Sequence, residues 1–244
     1  MKPPALLAAA LLLAACSSPG AATPPSPAVP PTDVPAAVTP DTPPSMPAPN
    51  SLPDGDRWFV AVRAGSGAEP VAERSRRSRG DGFVREEITW GRSFADLARA
   101  EHGTAQVFGL ILGGKGLSVS LLDASGRPAG DSRLEVAAPF QAGTAWTVPI
   151  PGGDFEARIA GIEKADTPGG PVEALRVEVR SPGPRPLLMT TWYDAGLRPV
   201  RAEVRRGAAE ILESRGALAS AAPSPEECRT AMEWARKNLS APAK

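Results

Sequence analysis

The chain has 244 residues, and its 27 Lys and Arg balance 27 Asp and Glu to a formal net charge of zero, which removes the electrostatic footprint of a nucleic-acid-binding protein. One histidine and two cysteines leave few parts for a metal site or a serine–histidine triad, and no cofactor is implied. Thirteen of the 29 prolines fall between Pro19 and Pro53, which sets a tether apart from a domain of about 190 residues, enough for one substantial core.

The N-terminus reads as a secretory signal: Met1 and Lys2 precede an uncharged run from Ala5 to Ala15, too short to span a bilayer, which needs about 20 residues. Leu13, Ala14, Ala15 and Cys16 resemble the bacterial lipobox, in which a Leu and two small residues precede the Cys that is acylated. The resemblance implies that residues 1–15 are removed and that Cys16 carries the lipid, giving a membrane partner without a transmembrane helix. A secreted protein cut after an A-x-A-like site is the alternative, in which Cys16 has no role. Ser17, rather than Asp, after the Cys implies the outer membrane, facing the periplasm, in a Gram-negative envelope.

Residues 16–53 read as an acylated N-terminus and a disordered Pro/Ala-rich linker whose only charges are Asp33 and Asp41, because such a composition cannot bury a core. In a polyproline II conformation the tract reaches up to roughly 100 Å. With Cys16 acylated, Cys228 is the only thiol left, so the fold stands without a disulfide.

Residues 54–221 read as an antiparallel β domain. Arg74, Arg76, Arg77 and Arg79 sit in a polar stretch before Gly80 that is expected as a solvated loop, and they are the candidate contacts for an anionic headgroup, a glycan or a partner. Glu86 and Glu87 are strand neighbours, so they point to opposite faces. Ser93 and Asp96 form a capping box for a short helix near residues 93–102, with the lone His102 at its end. Gly109-x-x-x-x-Gly114-Lys115-Gly116 lacks the Ser or Thr of a P-loop and is expected as a loop between strands.

Leu117, Val119 and Leu121, then Asp123 to Gly126, then Leu134 and Val136 form a hairpin signature. Alternation with one charged face recurs at 155–159, 175–180 and 200–205, separated by turns too short for crossover helices. Residues 222–244 read as an amphipathic helix with Ser224 as N-cap, Pro225 in the first turn and Glu227 completing a capping box. Its apolar face is Cys228, Ala231, Met232, Ala235 and Leu239, with Trp234 at the flank.

Pro139 with Gly143-x-x-Trp146, Gly161-x-Glu163 and the run from Trp192 to Val200 resemble a group of bacterial secreted domains of unknown function. Their sheet is similar to the curved antiparallel half-barrel of the lipoprotein carriers LolA and LolB. Arg198 stands where the second Gly of that pattern falls, which bears on the turn rather than the fold. The resemblance implies a mainly β fold, a curved sheet or half-barrel with a short helix near 93–102 and a C-terminal helix, and it assigns no catalytic residue. Trp146, Trp192 and Tyr193 are the candidate lining of an apolar cavity in such a sheet; the alternative is that they are core.

The expected function is a membrane-anchored, non-enzymatic envelope lipoprotein with a binding or scaffolding role, with a lipid or other apolar molecule as candidate ligand. A protein–protein interaction module with a packed interior is the alternative, ahead of an enzyme acting on envelope polymers. Neither the partner nor the oligomeric state follows from the sequence.

Overall fold

A computed structural model describes residues 45–63, 69–99, 106–149, 153–207, 210–219 and 222–240. The lipobox, most of the proline tract and His102 lie outside the described residues. The first half of the fold is β1 (Gly55–Arg63), β2 (Val71–Arg79), β3 (Val84–Gly91), β4 (Gln106–Gly113), β5 (Gly116–Leu122) and β6 (Pro128–Ala137). The second half is β7 (Ala145–Val148), β8 (Phe155–Ala165), β9 (Val172–Arg180), β10 (Leu187–Tyr193), β11 (Pro199–Arg206) and β12 (Glu210–Ala217). Helix α1 (Phe94–Ala98) lies between β3 and β4, and α2 (Pro225–Ser240) follows β12.

The strands form one antiparallel sheet in the order β6-β5-β4-β3-β2-β1-β12-β11-β10-β9-β8-β7. The chain therefore walks out from β1 to one edge, jumps to the opposite edge, and walks back until β12 pairs with β1, Phe59 opposite Ala217. That jump forces the curvature. Laid flat, β6 and β7 would be roughly 50 Å apart at 4.8 Å per strand, whereas the residues between Ala137 and Ala145 reach only about 25 Å. The sheet must curl until its edges meet, and register shifts in β5, β8, β10 and β11 supply local bends. No ladder joins β6 to β7; the seam is bridged by the Trp146 indole N–H, which donates to the Leu134 carbonyl at 3.3 Å.

The curl gives every strand an inner and an outer face. Ile88, Leu110, Leu117, Val119, Leu175 and Val177 come from distant strands yet pack into one core on the inner face. On the outer face, Trp58, Val60 and Val62 of β1 pack with Phe94 and Leu97 of α1 and with Ala231 and Ala235 of α2. Helix α2 therefore covers the outside of β1 and β12 and does not enter the concave side. Its start follows the sequence: Ser224 Oγ accepts from the Glu227 N–H at 3.2 Å, and the Glu227 carboxylate accepts from the Ser224 N–H at 2.7 Å. Ser93 and Asp96 cap α1 in the same reciprocal way.

The β5–β6 hairpin, the strands at 155–165, 172–180 and 199–206, and both helices stand where the sequence places them. Three expectations fail. The segment from Gly109 to Gly116, expected as a loop between strands, is the end of β4, a turn at Gly114 and Lys115, and the start of β5, with Gly109 paired to Ser120. Residues 45–53, assigned to the linker, belong to the packed domain: Met46 and Leu52 are buried in the inner core, because two apolar side chains at one open end of the curled sheet are removed from water there. The stretch with Arg74, Arg76, Arg77 and Arg79, expected as a solvated loop, is strand β2. It shows no apolar alternation because its inward side chains, Glu73, Ser75 and Arg77, are polar.

Candidate functional site

The centre of the inner face is charged. Arg77 Nε donates to Glu86 Oε1 at 3.3 Å, Ser75 Oγ donates to the same oxygen at 2.6 Å, and Arg77 Nη2 donates to the Leu197 carbonyl at 3.1 Å. Beside them, Arg215 forms an ion pair with Glu73, and both side chains are almost wholly buried. Further round the curl, Tyr193 Oη donates to Glu135 Oε1 at 3.0 Å and Arg133 Nη2 donates to Glu135 Oε2 at 3.2 Å. At the end closed by residues 45–53, Arg198 reaches back to the carbonyls of Gly55 and Ser75, at 3.0 and 3.4 Å. Its neighbour Leu197 has a φ of 51°, a left-handed conformation that closes the turn and leaves the Leu197 carbonyl facing Arg77.

These contacts set the protonation of the interior. Burial raises the Glu73 carboxyl to about 7, outweighing the opposing charge of Arg215. Burial acts on Glu86 too, but the charge of Arg77 and the Ser75 hydroxyl outweigh it and hold that carboxyl below its usual value. Burial, with Arg77 and Arg57 nearby, lowers Arg198 to about 10. Burial and the Glu135 charge push the Tyr193 hydroxyl well above its usual value.

The space left inside is small. The interior cavity measures about 80 Å³ and is bordered by Ile88, Leu117 and Val177 on its apolar side and by Arg77, Glu86 and Glu135 on its polar side. That is room for a few waters, each occupying about 30 Å³ in the liquid. Pockets that enclose small-molecule ligands begin near 300 Å³. Glu86 and Glu135 converge on this cavity as a pair of catalytic acids would, yet each is already held by an arginine and a hydroxyl.

The larger concavity lies on the outer face. A groove of about 850 Å³ runs from β7 across β8 and β9 to β10, walled at one end by Pro184, Pro186 and Gly207. Its floor follows the ladder register: Thr147 is opposite Glu156, Glu156 opposite Arg180, and Arg180 opposite Leu188. The adjacent row runs from Ala145 to Arg158 to Glu178. Arg158 holds Glu178 through hydrogen bonds of 2.7 and 2.9 Å, while Arg176 spans Glu178 and Glu163. Charged arms over a strand floor suit a polar, extended ligand rather than an alkyl chain.

The sequence candidates do not assemble as one site. Tyr193 faces inward, Trp146 bridges the seam, and Trp192 is on the outer face, so the three do not line a common cavity. Trp192 donates its indole N–H to Glu163 at 2.8 Å and lies under Arg201, whose guanidinium carbon is 5.1 Å from the ring centroid; as successive residues of one strand, Trp192 and Tyr193 point to opposite faces. The arginines of β2 are likewise divided. Arg77 is internal, whereas Arg74 lies over Trp58 at 5.6 Å, Arg76 pairs with Asp56 at 2.8 Å and Arg79 approaches Asp54 at 3.8 Å. Only Arg76 and Arg79 are well exposed. Among the described residues no group of His, Cys, Asp and Glu side chains is arranged to hold a metal ion, and no helix is long and apolar enough to cross a membrane.

No family model matches the chain, and no curated protein matches it. Among solved structures, it is similar to a "putative exported protein with YmcC-like fold" from Bacteroides fragilis, with 14% identity and a TM-score of 0.44 over 71% of this chain and 97% of that one.

Proposed function

We propose that this chain is a lipid-anchored, non-enzymatic interaction module of the bacterial envelope, whose curled sheet is a packed core and whose groove over β7–β10 receives an extended segment of a partner protein. The contrast that carries this reading is volumetric: about 80 Å³ inside against about 850 Å³ outside. A lipid carrier of the half-barrel type needs the interior to widen severalfold, and the charged Arg77, Glu86 and Glu135 would then face the alkyl chain at a high desolvation cost. Hydrolysis of an envelope polymer asks for two free carboxyls around a bound sugar, and the paired Glu86 and Glu135 offer neither the freedom nor the room.

The anchor rests on Leu13, Ala14, Ala15 and Cys16. Several acyl chains on one cysteine, at about 0.8 kcal/mol per buried methylene, make a lasting attachment. Ser17 favours the outer membrane of a Gram-negative cell as the place of attachment. Location then does part of the work, since a domain confined near a membrane meets envelope partners at raised local concentration.

Photo-crosslinking in living cells tests this reading. A photoreactive residue at Thr147 or Arg180 is expected to capture a discrete envelope protein, while the same residue at Arg229 on α2 does not. Equal capture from both surfaces, or a stoichiometric lipid retained by the Cys16→Ala variant in native mass spectrometry, would overturn it.

A further inference from the structure

Two guanidinium groups in the interior keep donors that nothing accepts from. Arg77 donates through Nε to Glu86 and through Nη2 to the Leu197 carbonyl, but its Nη1 finds no acceptor among the described residues. Arg215 pairs with Glu73 through Nη2, and its Nε finds no acceptor either. The two side chains are 1% and 5% exposed, and both border the interior cavity. A buried charged donor is costly to leave unpaired, and such a group marks a place where an ion or a water belongs.

The acceptors on the cavity wall are, by contrast, in use. Glu135 accepts from Tyr193 and Arg133, and Glu86 Oε1 accepts from Ser75 and Arg77. Glu203 also borders the cavity, with its carboxylate held by Arg201 and Arg205. The occupant of the cavity must therefore accept hydrogen bonds.

Charge separates an anion from a water in that role. With Glu203 matched to its own arginines, Arg77, Arg133 and Arg215 line the cavity against Glu86 and Glu135. The remaining carboxyl is Glu73, which faces Arg215 and Glu213 from β12 and Glu86 from β3; burial raises it to about 7. Below that pH Glu73 is neutral and the lining arginines are in excess. Arg198 reports the same crowding, since burial and the nearby charge of Arg77 lower it to about 10. Size agrees as well. A halide ion is close in volume to a water molecule, about 30 Å³, and the cavity measures about 80 Å³.

We propose that the interior cavity is a binding site for one small anion of halide size, chloride under ordinary conditions, which accepts from Arg77 Nη1 and faces the Arg215 guanidinium. The site stands on the unpaired donors and the cavity, and it is independent of the partner-binding role proposed above. Arg77 and Arg215 belong to β2 and β12, on either side of β1. An anion attracting both braces the junction of the two halves of the sheet from within. Because it binds only the folded chain, it stabilises the domain by mass action.

Bromide is the probe that tests this. In crystals of the chain from residue 16 to 244 with Cys16→Ala, soaked in sodium bromide, an anomalous peak is expected beside Arg77 Nη1. In solution, thermal unfolding is followed at constant ionic strength as sodium bromide replaces sodium gluconate, whose anion is too large for the cavity. Arg77→Lys keeps a charge for Glu86 but removes the Nη1 donor, so the bromide concentration for half the stabilisation should rise roughly 10-fold. Arg180→Lys on the outer surface should leave it unchanged. General salt effects act on all three proteins alike, so the difference between them reports the site. A cavity holding only water, bromide seen only on the surface as an adventitious ion, or equal responses from the native chain and Arg77→Lys would overturn the proposal. Should Arg77→Lys fail to fold, the anomalous map of the native chain decides alone.

Discussion

Arg215 lies over the Phe59 ring, its guanidinium carbon 3.7 Å from the ring centroid, and from there it meets the buried carboxylate of Glu73. The two residues come from β12 and β2, on either side of β1, so the pair spans the place where the two halves of the sheet join. The aromatic face compensates part of the arginine's lost hydration; the carboxylate has no such help.

Glu73 makes stability depend on pH. Its carboxyl titrates at 4.5 in the unfolded reference and at about 7 in the folded protein, so between these values the native state holds a proton that the unfolded chain has lost. The stability tied to Glu73 is full below pH 4.5 and is lost as pH rises to about 7, by on the order of 3 kcal/mol. In urea unfolding measured from pH 5 to 8, Glu73→Gln is expected to flatten the profile relative to the native chain. Parallel profiles would contradict the assignment.

Gly216 is needed for α2 to dock. A Cβ there would stand 2.5 Å from Pro168 Cδ and 2.7 Å from the Trp234 ring. Overpacking of this kind costs roughly 1–3 kcal/mol, so Gly216→Ala should lower the thermal midpoint and change the near-ultraviolet signal of Trp234. Intact midpoint and signal would mean that the helix does not rest on β12.

The seam between β6 and β7 depends on Trp146. Trp146→Phe keeps an aromatic ring but removes the donor to the Leu134 carbonyl, a loss of about 1 kcal/mol. Hydrogen exchange is expected to speed up at β7 and along β6 and to stay unchanged at β1 and β12. Uniform acceleration would instead point to a global effect.

Anchoring is expected to depend on one sulfur. Under the proposed anchoring, Cys16→Ser leaves the apolar run before it intact but removes the thiol that would be acylated, so the protein should move from the membrane fraction to the soluble envelope fraction. Persistence in the membrane pellet after a high-salt wash would place the attachment elsewhere.

Most of the strands were legible because one face of each meets water and the other a core: Phe155, Ala157 and Ile159, or Leu175, Val177 and Val179, alternate with charges. The capping pairs Ser93–Asp96 and Ser224–Glu227 marked both helix starts, since those contacts are local in the chain. Strand β2 was not legible, because Glu73, Ser75 and Arg77 break the alternation and two of their partners, Arg215 and Leu197, lie more than a hundred positions away in sequence. Met46 and Leu52 were hidden for a related reason, as two apolar residues in a proline tract have no period.

By itself the sequence determined the lipobox-like signature, the proline-rich composition that follows it, the antiparallel class and the two capped helices, all of which arise from composition or from contacts within a few residues. Only the tertiary structure decided which face became the inside. The short β6–β7 connection forces the sheet to curl, and the curl buries a charged network where an apolar cavity or a packed core was expected, and leaves a groove on the outer surface. These outcomes depend on strand order, in which the β1–β12 ladder joins residues more than a hundred positions apart, such as Phe59 with Ala217.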